Sequence, residues 1–159
     1  MANDSQQNIF YKRARFKTNL PIDRLYSQAH YWLAEDSPGT FRVGFTKFAT
    51  RMLGDFVELQ FDVNNGDSME VGQPIGSIEG FKAVSQIYSV APGRFAGVNQ
   101  QLQADPTLLE SQSYDTGWLY KITDSSPHDL LDVHGYIGLL DATIDQMLKS
   151  DQESKEKSC

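Results

Sequence analysis

Apolar and polar residues alternate at period two over Thr40–Phe45, which predicts a half-buried β-strand. A second alternation covers residues 57–63. It puts Val57, Leu59, Phe61 and Val63 on one face and Glu58, Gln60 and Asp62 on the other. Between them, Thr46 is placed to cap a short helix carrying Phe48, Ala49, Met52 and Leu53, and Gly54 stands where such a helix stops. Asn64-Asn65-Gly66-Asp67 is a turn signal. Residues 74–78 and 83–90 read as two strands joined by a turn at 79–82. Gly80 is expected to take a positive φ there, with Lys82 at or just past the tip. Pro92-Gly93 turns the chain into residues 95–98, and residues 118–122 read as a last strand.

Helix signals are fewer. Asp105-Pro106 marks a short helix start, with aspartate as cap and proline in the first helical position. Ser126-Pro127-His128-Asp129 repeats that signature. It is expected to open a C-terminal helix with Val133, Ile137, Leu140, Ile144 and Leu148 on its apolar stripe. Gly135 and Gly138 are expected to weaken its middle, enough to split it in two. Residues 1–9 read as a flexible N-terminus, 10–149 as one folded unit, and 150–159, without an apolar residue before Cys159, as a frayed tail. Short strands, frequent turns and small helices, without strand–helix–strand alternation or a glycine-rich phosphate loop, indicate an all-β barrel or sandwich with helical additions.

Composition narrows the function classes. At 159 residues and 40% hydrophobic, the chain has room for one domain with a real core. A net charge of −7 argues against a nucleic-acid binder. No run approaches the ~18 apolar residues of a membrane span, and the polar start is unlike a signal peptide, so a cytoplasmic location is expected. The single cysteine, Cys159, excludes an internal disulfide and a cysteine metal cluster, and it reads as an idle residue. His30, His128 and His134 lack the spacing of a helical metal site. No nucleophile motif or convergent set of acids stands out, which disfavours an enzyme. Four of the fourteen basic residues fall within 12–17. That cluster is either a docking patch for an acidic partner or a solvated stretch.

Lys82 is the only lysine between Lys47 and Lys121. At a hairpin turn its amine stands clear of the core, where a modifying enzyme can engulf it. The residues alone leave two readings, a plain surface lysine or an acylation site. Gly66-Asp67 through Gly72-Gln73-Pro74-Ile75 resembles the approach strand of lipoyl and biotinyl domains. Glu79-Gly80-Phe81-Lys82-Ala83 resembles the lipoyl-lysine hairpin of the glycine cleavage system H protein family, whose usual form is Glu-Ser-Val-Lys-Ala. Tyr26 with His30-Tyr31-Trp32, Val43-Gly44-Phe45-Thr46, Leu53-Gly54-Asp55 and Gly117-Trp118-Leu119-Tyr120-Lys121-Ile122 are similar to further motifs of that family, in order. The resemblance implies a mainly β fold with small helices: a hammerhead-type barrel-sandwich of two β-sheets with a C-terminal helix. It also implies lipoic acid amide-linked to Lys82. Glu79, Gly80 and Phe81 would be read by a lipoate ligase or transferase, and His30, Tyr31 and Met52 would line a cleft for the arm. The protein would then be a carrier, its chemistry lying in the cofactor and in partner enzymes.

The departures from the family pattern bear on the cargo. Where the family places a glutamate between His and Trp, a candidate partner for a cationic aminomethyl adduct, this chain has Tyr31. A second polar cleft position aligns with Met52, and Gly80-Phe81 replaces Ser-Val. This pattern resembles the H-like lipoate-binding proteins of sulfur oxidisers. The favoured expectation is therefore a carrier of sulfur intermediates for a heterodisulfide-reductase-like complex and a dihydrolipoamide-dehydrogenase-type enzyme. The alternatives are the glycine cleavage carrier, working with glycine decarboxylase and aminomethyltransferase, and an unmodified interaction module.

Overall fold

The structure, a computed structural model, describes residues 7–157, with side chains through Ser154. The expectations for residues 1–6 and Cys159 lie outside the described residues. The chain opens with a hairpin of β1 (Asn8–Arg13) and β2 (Phe16–Pro21), whose two-residue turn holds Ala14 at φ 54°. There follow β3 (Leu25–Tyr26), β4 (Tyr31–Ser37), β5 (Thr40–Phe45), α1 (Lys47–Leu53), β6 (Phe56–Phe61), β7 (Ser68–Met69), β8 (Pro74–Gly80) and β9 (Val84–Tyr88). Then come β10 (Gly93–Val98), α2 (Gln100–Ala104), α3 (Leu108–Ser111), β11 (Tyr120–Thr123) and α4 (Val133–Lys157).

A six-stranded sheet in the order β3-β4-β5-β11-β10-β7 faces a three-stranded sheet, β6-β8-β9. Their inner faces share one core: Leu33, Val43, Phe45 and Ile122 from the larger sheet meet Ile75, Ile78 and Ile87 from the smaller. The expected barrel-sandwich is the observed one, with the N-terminal hairpin as a third, two-stranded piece. Period two explains the second core. On β4, Tyr31 and Leu33 point into the sandwich, while Trp32 and Ala34 point out the back. There they meet Tyr11 and Phe16 of the hairpin and Val133, Tyr136, Leu140 and Ile144 of α4. Tyr26 and Tyr136 stack at 4.7 Å in the middle of this layer. At its edge, Tyr11 Oη donates to Asp141 Oδ1 (2.8 Å), and Arg13 donates two bonds of 2.9 Å to the Asp145 carboxylate.

Several elements fall where pattern placed them, and others do not. Thr46 caps α1 by accepting the Ala49 N–H, and Gly54, at φ 80°, ends it. β6 bulges between Phe56 and Glu58, so Phe56 turns inward and Val57 is left 58% exposed rather than joining Leu59 and Phe61. Ser126-Pro127 opens no helix. Leu131 instead exchanges two 2.8 Å backbone bonds with Tyr26, which demands extended chain, and Asp129 sits at φ 60°. The helix starts later, with Asp132 Oδ1 accepting the Gly135 N–H at 2.8 Å. α4 is continuous through both glycines. Its buried stripe uses Tyr136 beside the half-buried Ile137, and Leu148 is 49% exposed because the sheet no longer lies beneath it. α4 continues to Lys157, where an irregular tail from 150 was expected; its lysine- and glutamate-rich sequence favours helix without apolar contacts. Among the described residues no helix is long and apolar enough to cross a membrane.

Candidate functional site

The β8–β9 hairpin turns over Phe81, Lys82 and Ala83. Glu79 pairs with Val84, and the Gly80 N–H donates to the Ala83 carbonyl at 2.8 Å. Two further backbone bonds seat the turn on the corner between α1 and β6. The Phe81 N–H donates to Asp55 O (2.7 Å), and the Lys82 N–H donates to Leu53 O (3.0 Å). Gly54 and Gly80 permit this approach. A Cβ on Gly54 would stand 2.8 Å from Lys82 Cγ, and one on Gly80 would stand 2.3 Å from Leu53 O. Gly80 lacks the expected positive φ; it is needed for close packing, not for turn geometry. The consequence is a rigid backbone under a free side chain. Lys82 is exposed, and among the described residues nothing hydrogen-bonds or ion-pairs with its amine.

Of the three residues beside the lysine, Glu79 and Phe81 face solvent, Phe81 at 85% exposure, and Gly80 is buried against α1. Phe81 is thus a bare phenylalanine at the turn tip beside Lys82, and Val84 on the returning strand is exposed as well.

His30, Tyr31 and Met52 lie together. They line one cavity of about 390 Å³, closed on the hairpin side by Ala83 and Val84. No aspartate, glutamate, lysine or arginine lines it. Tyr31 is almost fully buried, its Oη accepting the Tyr88 N–H at 2.9 Å and its ring tilted against Phe45 at 4.9 Å. Burial pushes its hydroxyl up to about 12, so it offers a neutral polar edge and no charge. His30 Nδ1 shares a 2.8 Å hydrogen bond with Tyr136 Oη, which also bonds Thr46 Oγ1 at 2.7 Å. Burial lowers the imidazole to about 4, so it is neutral near pH 7. Met52, 47% exposed, forms a soft apolar lip.

Sequence reasoning missed the walls that Phe48, Ala49, Ala83 and Val84 supply, because nothing in a linear pattern says that α1 abuts β9. It also missed a second cavity of about 500 Å³ on the other side of Gly54, where Asp55 and Thr50 meet Thr107 and Glu110 from a segment some fifty residues away. The clamp under the turn did leave a signal, the Leu53-Gly54-Asp55 motif, whose carbonyls hold the hairpin.

A group attached at Lys82 would find here an amine without a partner among the described residues, on a turn held by backbone bonds, beside a mostly apolar cavity within the usual range for small-molecule sites. Comparison with known proteins identifies the family. The family model described as Glycine cleavage H-protein matches residues 24–137. The glycine cleavage system H protein of Listeria innocua is 41% identical over 113 residues, covering 70% of this chain and 88% of the relative. That of Shewanella baltica is 33% identical over 127 residues, covering 78% and 98%. The crystal structure of a glycine cleavage system H protein from Mycobacterium marinum superposes with a TM-score of 0.67 at 32% identity, over 75% of this chain and 97% of that one.

Proposed function

The chain belongs to the glycine cleavage H-protein family, and from that premise we propose that it is a carrier with lipoic acid amide-linked to Lys82 Nζ. The observation that carries the proposal is the seated turn: two backbone bonds from Phe81 and Lys82 to the α1–β6 corner hold an amine that has no partner of its own among the described residues. When attached, the group supplies thiol–disulfide exchange and two-electron redox chemistry. The protein supplies presentation. The hairpin fixes the tether's origin, and the tether keeps its far end near client active sites at an effective concentration in the ~mM range. Glu79 and Phe81 stand where a lipoate ligase or transferase would read the turn. The cavity lined by His30, Tyr31 and Met52 would shelter the arm between encounters. The chain itself performs no catalytic step in this reading.

The relatives' names support the glycine cleavage pathway over the sulfur carrier that the substitutions at Tyr31 and Met52 had favoured. In that pathway glycine decarboxylase and aminomethyltransferase are the clients, and the cargo is a one-carbon amine. One observation keeps sulfur cargo as the second reading: the cleft offers a cationic amine no carboxylate, and its histidine is neutral.

Protein from its native organism is expected to carry one lipoyl mass on Lys82, and the Lys82→Arg variant none. An unmodified Lys82 in native material would leave an interaction module instead. Lipoylated carrier is expected to accept the aminomethyl group from glycine decarboxylase supplied with glycine. Refusal by a fully lipoylated sample would move the cargo to sulfur.

A further inference from the structure

Two packed pieces extend beyond the family match. β1–β2 lies before residue 24, and α4 runs twenty residues past 137. The turn of the hairpin and the outer half of α4 frame a groove of about 230 Å³ with Phe16 and Phe48 in its floor. Met52, Met147 and Leu148 are exposed along it, three large apolar side chains on one strip of surface. Phe48 and Met52 also line the arm cleft, so groove and cleft form one continuous surface leading to Lys82.

The charge around this groove runs against the rest of the molecule. The chain carries −7 overall, yet Arg15 and Arg51 stand at the groove without a carboxylate partner among the described residues. Lys12 and Lys17, paired directly opposite each other, lie on the other face of the hairpin and do not line the groove, so its cations are Arg13, Arg15 and Arg51. Among the described residues Arg13 alone of the cluster is neutralised, by Asp145 and Asp141, and those bonds pin the hairpin to α4. The hairpin turn holds Ala14 at φ 54°, a left-handed conformation that strains any residue with a Cβ and that sets Arg15 at the tip. An extended basic face of the kind a nucleic acid needs is missing, since Asp141, Asp145 and Asp151 stand beside the same groove. The combination of an apolar floor with Arg15 and Arg51, neither of which has a carboxylate partner among the described residues although Arg51 lies 5.9 Å over the Phe16 ring, fits an apolar-tipped, acidic-flanked segment of another protein.

We propose that this groove docks such a segment of the enzyme that acts on the Lys82 arm. It would orient the enzyme so that its active site faces the neighbouring cleft. This rests on the carrier reading above, with glycine decarboxylase as the client.

The test is steady-state loading of lipoylated carrier by glycine decarboxylase, with wild type, Arg15→Glu/Arg51→Glu, Met147→Ser/Leu148→Ser and, as a control remote in the fold, Arg94→Glu. The altered residues are exposed, and equal lipoylation by intact mass together with unchanged circular dichroism checks that each variant is folded. The charge-reversal pair is expected to raise KM about tenfold with kcat unchanged and to flatten the rise of KM with salt. The serine pair is expected to raise KM without altering the salt slope, and Arg94→Glu to match wild type. Equal KM values for wild type and the charge-reversal pair would overturn the groove while leaving the carrier intact. Failure of the wild type to load at all would overturn the pathway reading and this one with it.

Discussion

The molecule has two hydrophobic layers on either face of one sheet, and they do different work. The inner layer, between the six- and three-stranded sheets, is almost wholly aliphatic and aromatic and lies within the residues the family shares. It holds the β8–β9 hairpin still, and its functional output is a fixed position for Lys82. The outer layer packs the terminal segments onto Tyr26, Trp32, Ala34 and Phe48 and is laced with hydroxyls and charges: Tyr11 to Asp141, Arg13 to Asp145, and Tyr136 to His30 and Thr46. The inner layer positions Lys82; the outer one shapes the ground beside it. β4 serves both, with alternate residues in each layer. Damage to one layer is therefore expected to spare the function of the other where the backbone of β4 is untouched.

The sharpest separation comes from Tyr136→Ala. It removes a fully buried ring stacked on Tyr26 and leaves the hydroxyl of Thr46 and the His30 ring without their shared partner. A cost of about 3–5 kcal/mol is expected, in line with other large aromatic truncations. Hydrogen exchange should show α4 and β1–β2 losing protection well before β8 and β9. Equal loss across both layers would mean that they fold and unfold as one unit and that the division is only geometric.

Gly80→Ala probes the inner layer from the site outward. The added methyl would lie 2.3 Å from Leu53 O and 2.5 Å from Leu53 Cγ, so either the hairpin or the C-terminal turn of α1 must move. Overpacking of this kind costs about 1–3 kcal/mol. Because the displaced atoms include the carbonyl that accepts the Lys82 N–H, lipoylation is expected to slow out of proportion to the lost stability. Urea unfolding and a time course of intact mass give the two quantities. A normal lipoylation rate in a destabilised variant would show that the ligase does not require the seated turn.

These two positions also show what could be read in advance. The hairpin, α1 with its Thr46 cap, and Lys82 at a turn were legible because each depends on neighbours in sequence: a two-residue period, a capping hydroxyl, a turn signal. The cleft residues His30, Tyr31 and Met52 were named through family resemblance, and the fold brings them together. Features set by distant partners stayed hidden. Gly80 invited the local explanation of a positive φ, whereas its reason is Leu53, twenty-seven residues away. Pro127 looked like a helix start, but the Tyr26–Leu131 bridge demands extended chain until Asp132. Val57 left its face because a bulge, invisible to a period count, shifts β6 by one residue. Tyr136 was overlooked on α4 because its neighbour Ile137 fits an apolar stripe better, and only the stacking partner Tyr26 explains the choice.

The smallest effect is a pH dependence at the seam between the layers. His30 is partly buried against Phe48 and Tyr136, and burial lowers its imidazole from an ordinary 6.5 to about 4. As pH falls, the unfolded chain therefore takes up this proton first. The stability due to the neutral ring is whole above pH 6.5, declines as pH falls towards 4, and changes no further below that. The slope in that window cannot exceed ~1.4 kcal/mol per pH unit for one group. His30→Asn is the matched variant: asparagine tolerates the φ of 70° found here and keeps a polar atom near Tyr136 Oη, yet it does not titrate. Other carboxylates titrate below pH 5 in both proteins, so the quantity to plot is the difference in unfolding free energy between wild type and variant. It is expected to be flat from pH 8 to 7 and to shift in favour of the variant from pH 6.5 down to 4. A difference that stays constant across that range would mean that His30 is solvated when the protein is folded, and that the cleft is wetter and better suited to a charged cargo than its apolar walls suggest.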